Sequence, residues 1–153
     1  MNNSLNINDV LRTVDDPTAD DALGRVLADG YGRDMAIIMA TGDTDRDTLV
    51  RIALNADGHM GRTVGRILSD RLLGAAGVDW TRLDAWTTRL ERMPGSAGAQ
   101  ATLAYLHWID GRETEAVRAA EQATRMDPAM SLPGLVLQLV AEDVRPIAER
   151  NGK

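Results

Sequence analysis

Apolar residues recur along this chain at intervals of three and four positions, with polar residues between them. This spacing places apolar side chains on one face of a helix, and no segment shows the sustained alternation typical of a half-buried strand. Helices with a single apolar face must stack on one another to cover it. The pattern therefore predicts an all-α fold, a compact array of roughly seven to eight short helices.

Turn and capping residues mark the expected helix boundaries. Residues 30–32 (Gly-Tyr-Gly) are predicted to break the chain after a helix that begins at Thr18, and Gly42 is predicted to end the next segment. That segment, Arg33 to Ala40, is apolar on nearly all sides, and its Met and Ala residues favour a buried helix over a buried strand. Further N-caps are expected at Asn8, Thr44, Asp79, Ser96 and Ser131.

The chain is organised around a helical hairpin that we predict from Ala97 to Pro128. Gly111 is expected to provide the left-handed residue between the two arms, because glycine adopts that conformation without a steric cost. Ser96 can cap the first arm, and Pro128 cannot prolong the second. Small residues of the second arm should let the two arms lie close together, namely Ala116, Ala119, Ala120 and Ala123.

This hairpin resembles one tetratricopeptide repeat. The repeat has Leu and a small residue in its first helix, Gly at the turn, small residues in the second helix and Pro at the end. Those positions are occupied here by Leu103, Ala104, Gly111, Ala116, Ala123 and Pro128. Gln100 stands where the repeat usually has Trp, and Glu113 where it prefers an aromatic residue. The resemblance covers about one repeat unit and implies a packing geometry near the C-terminus.

A second set of residues covers more of the chain: Arg33, Asp34, Trp108, Gly111, Ala116, Ala120, Ala123, Asp127 and Pro128. Together they resemble the C-terminal part of an uncharacterised actinobacterial family, domain of unknown function 4192. The likeness extends from about Thr18 to Val144, and typical members of the family are longer. It implies that the chain corresponds to their C-terminal helical half, and it carries over no catalytic residue.

Composition narrows the classes of function. The chain has 23 acidic and 17 basic residues and a formal net charge of −6, which argues against broad binding of a nucleic-acid backbone. It has no cysteine, which excludes disulfides, thiol nucleophiles and thiolate metal sites. Aromatic residues are scarce, so the core must be built from Leu, Ile, Val, Met and Ala.

The N-terminal residues and the longest apolar run provide evidence about the cellular location of the protein. The N-terminus lacks the basic and apolar stretches of a signal peptide, and the longest apolar run, Met35 to Ala40, is far too short to span a membrane. We therefore expect a cytoplasmic protein without membrane contact. Residues 1–153 are expected to form a single helical domain, with residues 1–6 and 146–153 frayed.

His107 is the strongest catalytic candidate, since Asp110 lies three positions away and could orient it as a general base. No nucleophile in the sequence can be paired with it, so a partly buried histidine in the aromatic position of the repeat is the preferred interpretation. Asp57 and His59 flank Gly58, but two side chains are too few to hold a metal ion.

Asp43, Asp45 and Asp47 alternate as the ligands of a calcium loop do. Thr48 and Leu54 stand where that loop needs Gly and Glu, so a helix start rich in carboxylates is the preferred interpretation. We expect neither a metal nor a cofactor.

Gly61 and Gly65 form a Gly-x-x-x-Gly pair. No apolar segment of membrane-spanning length surrounds the pair, which therefore predicts close backbone approach by a neighbouring helix of a water-exposed protein. Gly24 is expected to contribute to the same tight packing. The sequence has no phosphate loop with Gly-Lys-Ser/Thr and no Gly-x-Ser-x-Gly elbow, so its glycines favour packing over ligand binding.

Residues 44–73 have the outline of a helix-turn-helix, with Gly58 in the turn. Arg62 and Arg66 would face outward from the second helix, where they could contact a DNA groove. Asp70 is placed to pair with Arg66 at i, i+4, and the acidic net charge also weighs against nucleic-acid binding. A DNA-binding regulator is therefore the alternative function.

The preferred hypothesis is a non-enzymatic helical module that binds a protein or peptide partner. Helix phase places four residues on the surface that would contact the partner: Gln100, His107, Arg118 and Gln122. A repeat-like stack leaves apolar end faces uncapped, which modestly favours a homodimer.

Overall fold

The computed structural model describes residues 5–148 and 150, which form nine α-helices and no strand. The helices are α1 (Ile7–Asp15), α2 (Asp20–Leu27), α3 (Gly30–Thr41), α4 (Arg46–Leu54), α5 (Met60–Leu72), α6 (Trp80–Glu91), α7 (Ala97–Ile109), α8 (Glu113–Met126) and α9 (Ser131–Ala141). The predicted all-α fold is confirmed, as is the helix over Arg33–Ala40. No helix in the described part of the chain is long and apolar enough to cross a membrane.

Helix α7 lies at the centre of the array. It packs against α2, α3, α6, α8 and α9, and all of its residues from Gly98 to Ile109 except Tyr105 are buried. Burial on every side explains why α7 contains no Asp, Glu, Lys or Arg. A second apolar cluster joins α1, α4 and α5 to α2 and α3, and the two clusters meet at Met39 and Leu68.

The predicted hairpin is formed by α7 and α8, the helices that pack most extensively on each other. The Ser96 Oγ accepts a hydrogen bond from the Ala99 N–H at 3.0 Å, which confirms the predicted cap. Gly111 has a φ of +76°, in the left-handed region that favours glycine. The predicted small residues of α8 are buried, namely Ala116, Ala119, Ala120 and Ala123.

Helix starts agree with the predictions at some caps and differ at others. Asp79 caps α6 as predicted. Helix α1 is capped by Asn6 rather than Asn8, and α4 by Asp45 rather than Thr44. In both cases another residue within two positions, with a side chain that can cap, accepts the first-turn N–H: Asn6 replaces another Asn, and Asp45 is a better cap than Thr.

Three further boundaries were predicted wrongly. Helix α2 begins at Asp20 without a side-chain cap, and Ser131 is the first residue of α9 rather than its cap. Residues 30–32 form the first turn of α3 instead of a break, because the Asp29 carboxylate accepts hydrogen bonds from two amides of that turn.

The closest backbone contacts of the fold involve Gly32 and Gly98. A Cβ atom on Gly32 would lie 2.0 Å from the Val26 carbonyl oxygen, and one on Gly98 would lie 2.1 Å from the Leu27 carbonyl oxygen. Real Cβ atoms do not approach other atoms so closely. The last turn of α2 is therefore wedged between α3 and α7, and glycine is required on both of these helices.

The close approach predicted at Gly61 and Gly65 is wrong. A Cβ atom on either residue would meet nothing within 4 Å, because both lie on the outer face of α5 while Val64 faces the core. At Gly24 a Cβ would lie 3.5 Å from the Met93 Cε, an ordinary contact. Tight packing therefore does not explain these three glycines.

Arg71 is a buried arginine that joins α5 to the α3–α4 connection. Its side chain is 8% exposed. The guanidinium donates hydrogen bonds to the Ile38 carbonyl at 2.6 Å, the Thr41 hydroxyl at 2.9 Å, the Asp43 carbonyl at 3.1 Å and the Thr44 hydroxyl at 2.7 Å. One side chain therefore provides donors to acceptors in the last turn of α3 and in the α3–α4 connection.

The segment after α9 folds back over α5, α6 and α7. The Ala148 N–H donates a hydrogen bond to the C-terminal residue of α5 at 2.9 Å. The Arg150 guanidinium pairs with Asp84 at 2.6 Å and with Asp110 at 3.0 Å. These contacts hold Ala148 and Arg150 against the helices, although residues 146–153 were expected to fray. Outside the described residues lie 1–4, 149 and 151–153.

Candidate functional site

Helices α3 and α9 both pack on α7 and leave an open groove between them. The groove has a volume of about 430 Å³. Its lining comes from the starts of the two helices: Asp29, Gly30, Tyr31, Arg33, Asp34, Ser131, Leu132 and Leu135. We refer to this feature as the α3–α9 groove.

The walls of the α3–α9 groove carry exposed apolar side chains. Tyr31 on α3 is 42% exposed and Leu135 on α9 is 46% exposed. Beyond Ser131, helix α9 has only Gln138 as a polar side chain, and its inner face buries Val136 in the core. The outer leucines therefore remain in contact with water, an arrangement typical of a surface that binds a partner.

Asp34 is a half-buried carboxylate in the α3–α9 groove, and it makes no hydrogen bond or ion pair with another described residue. Burial raises its pKa to about 6; the positive charge of Arg33 opposes that change and the negative charge of Asp29 adds to it. Tyr105 of α7 lies near this carboxylate. Its burial and the negative charge of Asp34 together raise the pKa of Tyr105 to about 12. The groove thus contains a carboxylate that is partly shielded from water and has no hydrogen-bond partner among the described residues.

Arg33 lines the same groove without pairing with Asp34. Its Nη1 donates a hydrogen bond to the Leu27 carbonyl at 2.9 Å, which directs the guanidinium toward α2. Consecutive side chains on an α-helix point about 100° apart, so the two charged groups diverge. Burial lowers the Arg33 pKa. The Asp34 carboxylate therefore has no cation in contact with it.

We expect Asp34→Asn to increase the free energy of unfolding at pH 7 by about 1–2 kcal/mol, because the amide removes a desolvated charge. The pKa of the wild-type carboxyl is raised from 3.8 to about 6. A raised pKa means that the contribution of Asp34 to stability is most favourable below pH 3.8 and is lost as pH rises through about 6. The advantage of the variant should therefore shrink toward zero at about pH 4.

Urea unfolding of both proteins at the two pH values measures this difference. Asp47→Asn is the matched control, since Asp47 is an exposed carboxylate on α4, far from α9. Equal stability of the wild type and Asp34→Asn at pH 7 would contradict the expectation.

Two of the four residues predicted to contact a partner lie inside the core. Gln100 is 8% exposed and its Nε2 lies 3.4 Å from the Met93 carbonyl oxygen, to which it donates. His107 is 4% exposed. The other two are on α8, where Arg118 is exposed and Gln122 is half-buried. Because α7 is covered on every side, Gln100 and His107 are not open to a partner.

The environment of His107 matches a core histidine. Its Nδ1 atom has no hydrogen-bond partner, and burial lowers its pKa. Asp110, the residue that could have oriented it, instead accepts a hydrogen bond from Arg150 at 3.0 Å. The histidine that was expected to be partly buried is thus found in the core.

The acidic clusters named in the sequence serve local structure. Asp57 pairs with Arg51, so it does not face His59 as a free ligand. Asp45 accepts a hydrogen bond from the Thr48 N–H at 3.0 Å and caps α4. Among the described residues no group of three or more His, Asp or Glu side chains is placed to hold a metal ion.

Helices α4 and α5 are joined by a turn in which Asn55 and Gly58 have left-handed backbones, with φ of 49° and 68°. Arg62 and Arg66 are exposed on the outer face of α5. Neither makes an ion pair with a described residue, so the predicted pair of Arg66 with Asp70 is not formed. These two cations are available to a ligand from outside.

A second cavity, of about 370 Å³, lies between α7 and the folded-back C-terminal segment. Arg150 lies over the Trp80 ring at 4.9 Å and pairs with Asp84, while Arg145 pairs with Glu113 at 3.3 Å. Its charged groups therefore satisfy one another. The α3–α9 groove differs because its carboxylate is left without a partner.

Asp34 was not predicted as a site residue from chemistry, although it carried part of the family resemblance. The signal that could have identified it is its position: it is the only carboxylate within α3, directly before the apolar run from Met35 to Ala40. A charge in such a helix is either paired, exposed or functional.

Comparisons of this chain with models of known protein families, with curated proteins and with solved structures find no match. The resemblances to the tetratricopeptide repeat and to the domain of unknown function 4192 family therefore stay predictions. Function has to be inferred from the geometry of the chain itself.

Proposed function

We propose that this chain is a non-enzymatic helical interaction module that binds a partner protein or peptide in the α3–α9 groove. The observation that carries the proposal is the pair of exposed apolar side chains, Tyr31 and Leu135, on opposite walls of the groove. An exposed aromatic residue and an exposed leucine on facing walls offer a large apolar contact area, which is typical of a surface that binds a protein partner.

The shape of the groove favours a peptide segment over a small molecule. A small-molecule site buries most of its ligand's surface. Tyr31 and Leu135 are 42% and 46% exposed and form the two rims of the groove. A ligand confined to the cavity would leave both side chains in contact with water. A peptide that runs along the groove would cover both rims.

The non-enzymatic part of the proposal is supported by the placement of the strongest catalytic candidate. His107 is 4% exposed and lines neither the α3–α9 groove nor the cavity beside the C-terminal segment. The lining of the groove contains no His or Lys, so neither Asp34 nor Ser131 has such a group beside it to act as a base in catalysis. The expected cytoplasmic location is part of the same proposal.

Site-specific photo-crosslinking in the host cell tests the proposed surface. With benzoylphenylalanine in place of Leu135 or Tyr31, we expect a crosslinked species of defined mass. The same group at Glu121, an exposed position on α8, should give none. If all three positions give the same adducts, or if positions 31 and 135 give none, the groove is not the interaction surface.

A second candidate function, DNA binding through α4 and α5, is favoured by one observation. Arg62 and Arg66 are exposed cations without an internal partner on the second helix of a helix–turn–helix pair. A gel shift that weakens with salt and is lost in the Arg62→Ala/Arg66→Ala double variant would support it. Absence of a shift at low salt would eliminate it.

A further inference from the structure

We infer that the partner segment of the α3–α9 groove carries a Lys or Arg side chain between apolar residues. In the complex this cation pairs with Asp34 while the apolar neighbours cover Tyr31 and Leu135. The inference rests on the proposed function and names the chemistry of the partner that the groove selects.

The first argument is that Asp34 is an exception among the less exposed carboxylates of this protein. The side chain of Asp9 is 15% exposed and pairs with Arg25 at 2.8 Å. The side chain of Asp110 is 14% exposed and pairs with Arg150 at 3.0 Å. Asp34 is half-buried as well, yet it alone among the half-buried carboxylates of the described chain makes neither an ion pair nor a hydrogen bond; the others that lack a cation accept hydrogen bonds from amides or hydroxyls. A cation from outside would restore the pairing that the other two carboxylates have within the chain.

The second argument is the charge balance of the groove. Its charged lining consists of two carboxylates, Asp29 and Asp34, and one guanidinium, Arg33. The Asp29 carboxylate is occupied by amides at the start of α3, and the Arg33 guanidinium is directed toward the Leu27 carbonyl. What remains for a ligand is the negative charge of Asp34, which favours a cationic group.

The third argument is that a long basic side chain fits both parts of the groove. Lys and Arg lay their methylene stems along apolar surface and keep the charged head at a polar group. Arg also stacks on aromatic rings, and Tyr31 offers one on the α3 wall. Apolar residues on either side of the basic one would then contact Leu132 and Leu135 of α9.

The probe that tests this inference is a library of random 12-residue peptides displayed on phage and selected on the full-length protein. We expect enriched peptides to contain one Lys or Arg flanked by apolar residues. A synthetic copy of an enriched peptide should bind Asp34→Asn at least about tenfold more weakly than the wild type, because the pair loses its charge. Asp47→Asn should bind as the wild type does.

A pH series provides a readout that is independent of the variants. Since the Asp34 pKa is about 6, protonation should weaken peptide binding as pH falls below that value, by up to about tenfold at pH 5. The ionisable groups that face Asp34 are Asp29 at the N-cap of α3, Arg33 of α3 and Tyr105 of α7. A guanidinium stays protonated between pH 7.5 and pH 5, and the pKa of Tyr105 is raised to about 12, so neither of these two groups would change charge in the series.

Leu135→Glu separates failure of the inference from failure of the proposed function. Peptides that bind the wild type, lose affinity in Leu135→Glu and bind Asp34→Asn unchanged would overturn the inferred cation and leave the groove as the binding surface. Peptides unaffected by both variants, or no enriched peptide, would overturn both the inferred cation and the proposed function.

Self-association of the wild type that is abolished by Leu135→Glu would assign the groove to a second copy of this chain, and would also overturn the inference.

Discussion

Gly98→Ala is expected to lower the free energy of unfolding by about 3 kcal/mol or more. The new Cβ would lie 2.1 Å from the carbonyl oxygen of Leu27, 2.5 Å from its carbonyl carbon and 2.9 Å from its Cβ. Two of these three atoms belong to the backbone of α2, so no side-chain rotation can relieve the overlap. The central helix α7 would have to move away from α2, which would open the core.

Gly61→Ala and Gly65→Ala are the matched controls, since they also introduce a methyl group into a helix of this protein. A Cβ at either position meets nothing within 4 Å. Because alanine is the better helix former, each control should stabilise the protein by about 0.5–1 kcal/mol. Urea unfolding followed by circular dichroism measures all three variants. A neutral Gly98→Ala, or controls that destabilise equally, would show that the α2–α7 contact is looser than described.

These glycines show where sequence reasoning stops. Gly61 and Gly65 form a recognisable pair and were predicted to be packed, whereas Gly98 was not singled out. Local sequence reveals that a glycine lies in a helix, but the element that crosses it is set by tertiary packing. The last turn of α2 lies about seventy residues upstream of Gly98, and no short-range pattern connects the two.

The helices themselves were largely predictable, because apolar spacing and caps are local properties. The hairpin was located correctly from Ser96, Gly111 and Pro128. The exposed residues of the hairpin were not all predicted correctly, because the prediction assumed that each helix buries only one face. Helix α7 is buried on all faces, so Gln100 and His107 lie in the core whatever their phase.

The candidate groove could not be predicted as a site, because its two walls are about a hundred residues apart in the chain. Tyr31 was part of a predicted chain break, and Leu135 was not singled out among the apolar residues of the last helix. Only Asp34 had a local signal, as the single carboxylate of an apolar helix. Whether such a charge is paired depends on the neighbouring helices, and in this chain they provide no partner.

Arg71 was likewise missed, although its position contains a usable signal. It lies seven residues after Val64 and four after Ile67, on the apolar stripe of α5. An arginine at such a position is either directed out along the surface or held by buried acceptors. The structure shows the second case, with acceptors from the α3–α4 connection.

Arg71→Met is therefore expected to lower the free energy of unfolding by about 3–5 kcal/mol. Methionine keeps much of the apolar stem but removes every donor. The Ile38 and Asp43 carbonyls and the Thr41 hydroxyl would each lose a hydrogen bond from the guanidinium, and the first and last of these three bonds are buried. Unsatisfied buried polar groups are costly because neither water nor another donor replaces the lost bond.

Arg66→Met is the control on the same helix, since Arg66 is exposed and unpaired and its loss should change stability little. Arg71→Lys should fall between the two, because one ammonium group can reach some of the four acceptors but lacks the planar fork that spans them. Equilibrium unfolding in urea ranks the three variants. If Arg71→Met were as stable as Arg66→Met, the α3–α4 connection would be held by its own backbone, and the buried guanidinium would have no structural role. The expected order instead makes this guanidinium the contact that fixes α3 against α5, and with it one end of the helix on which Tyr31 and Asp34 lie.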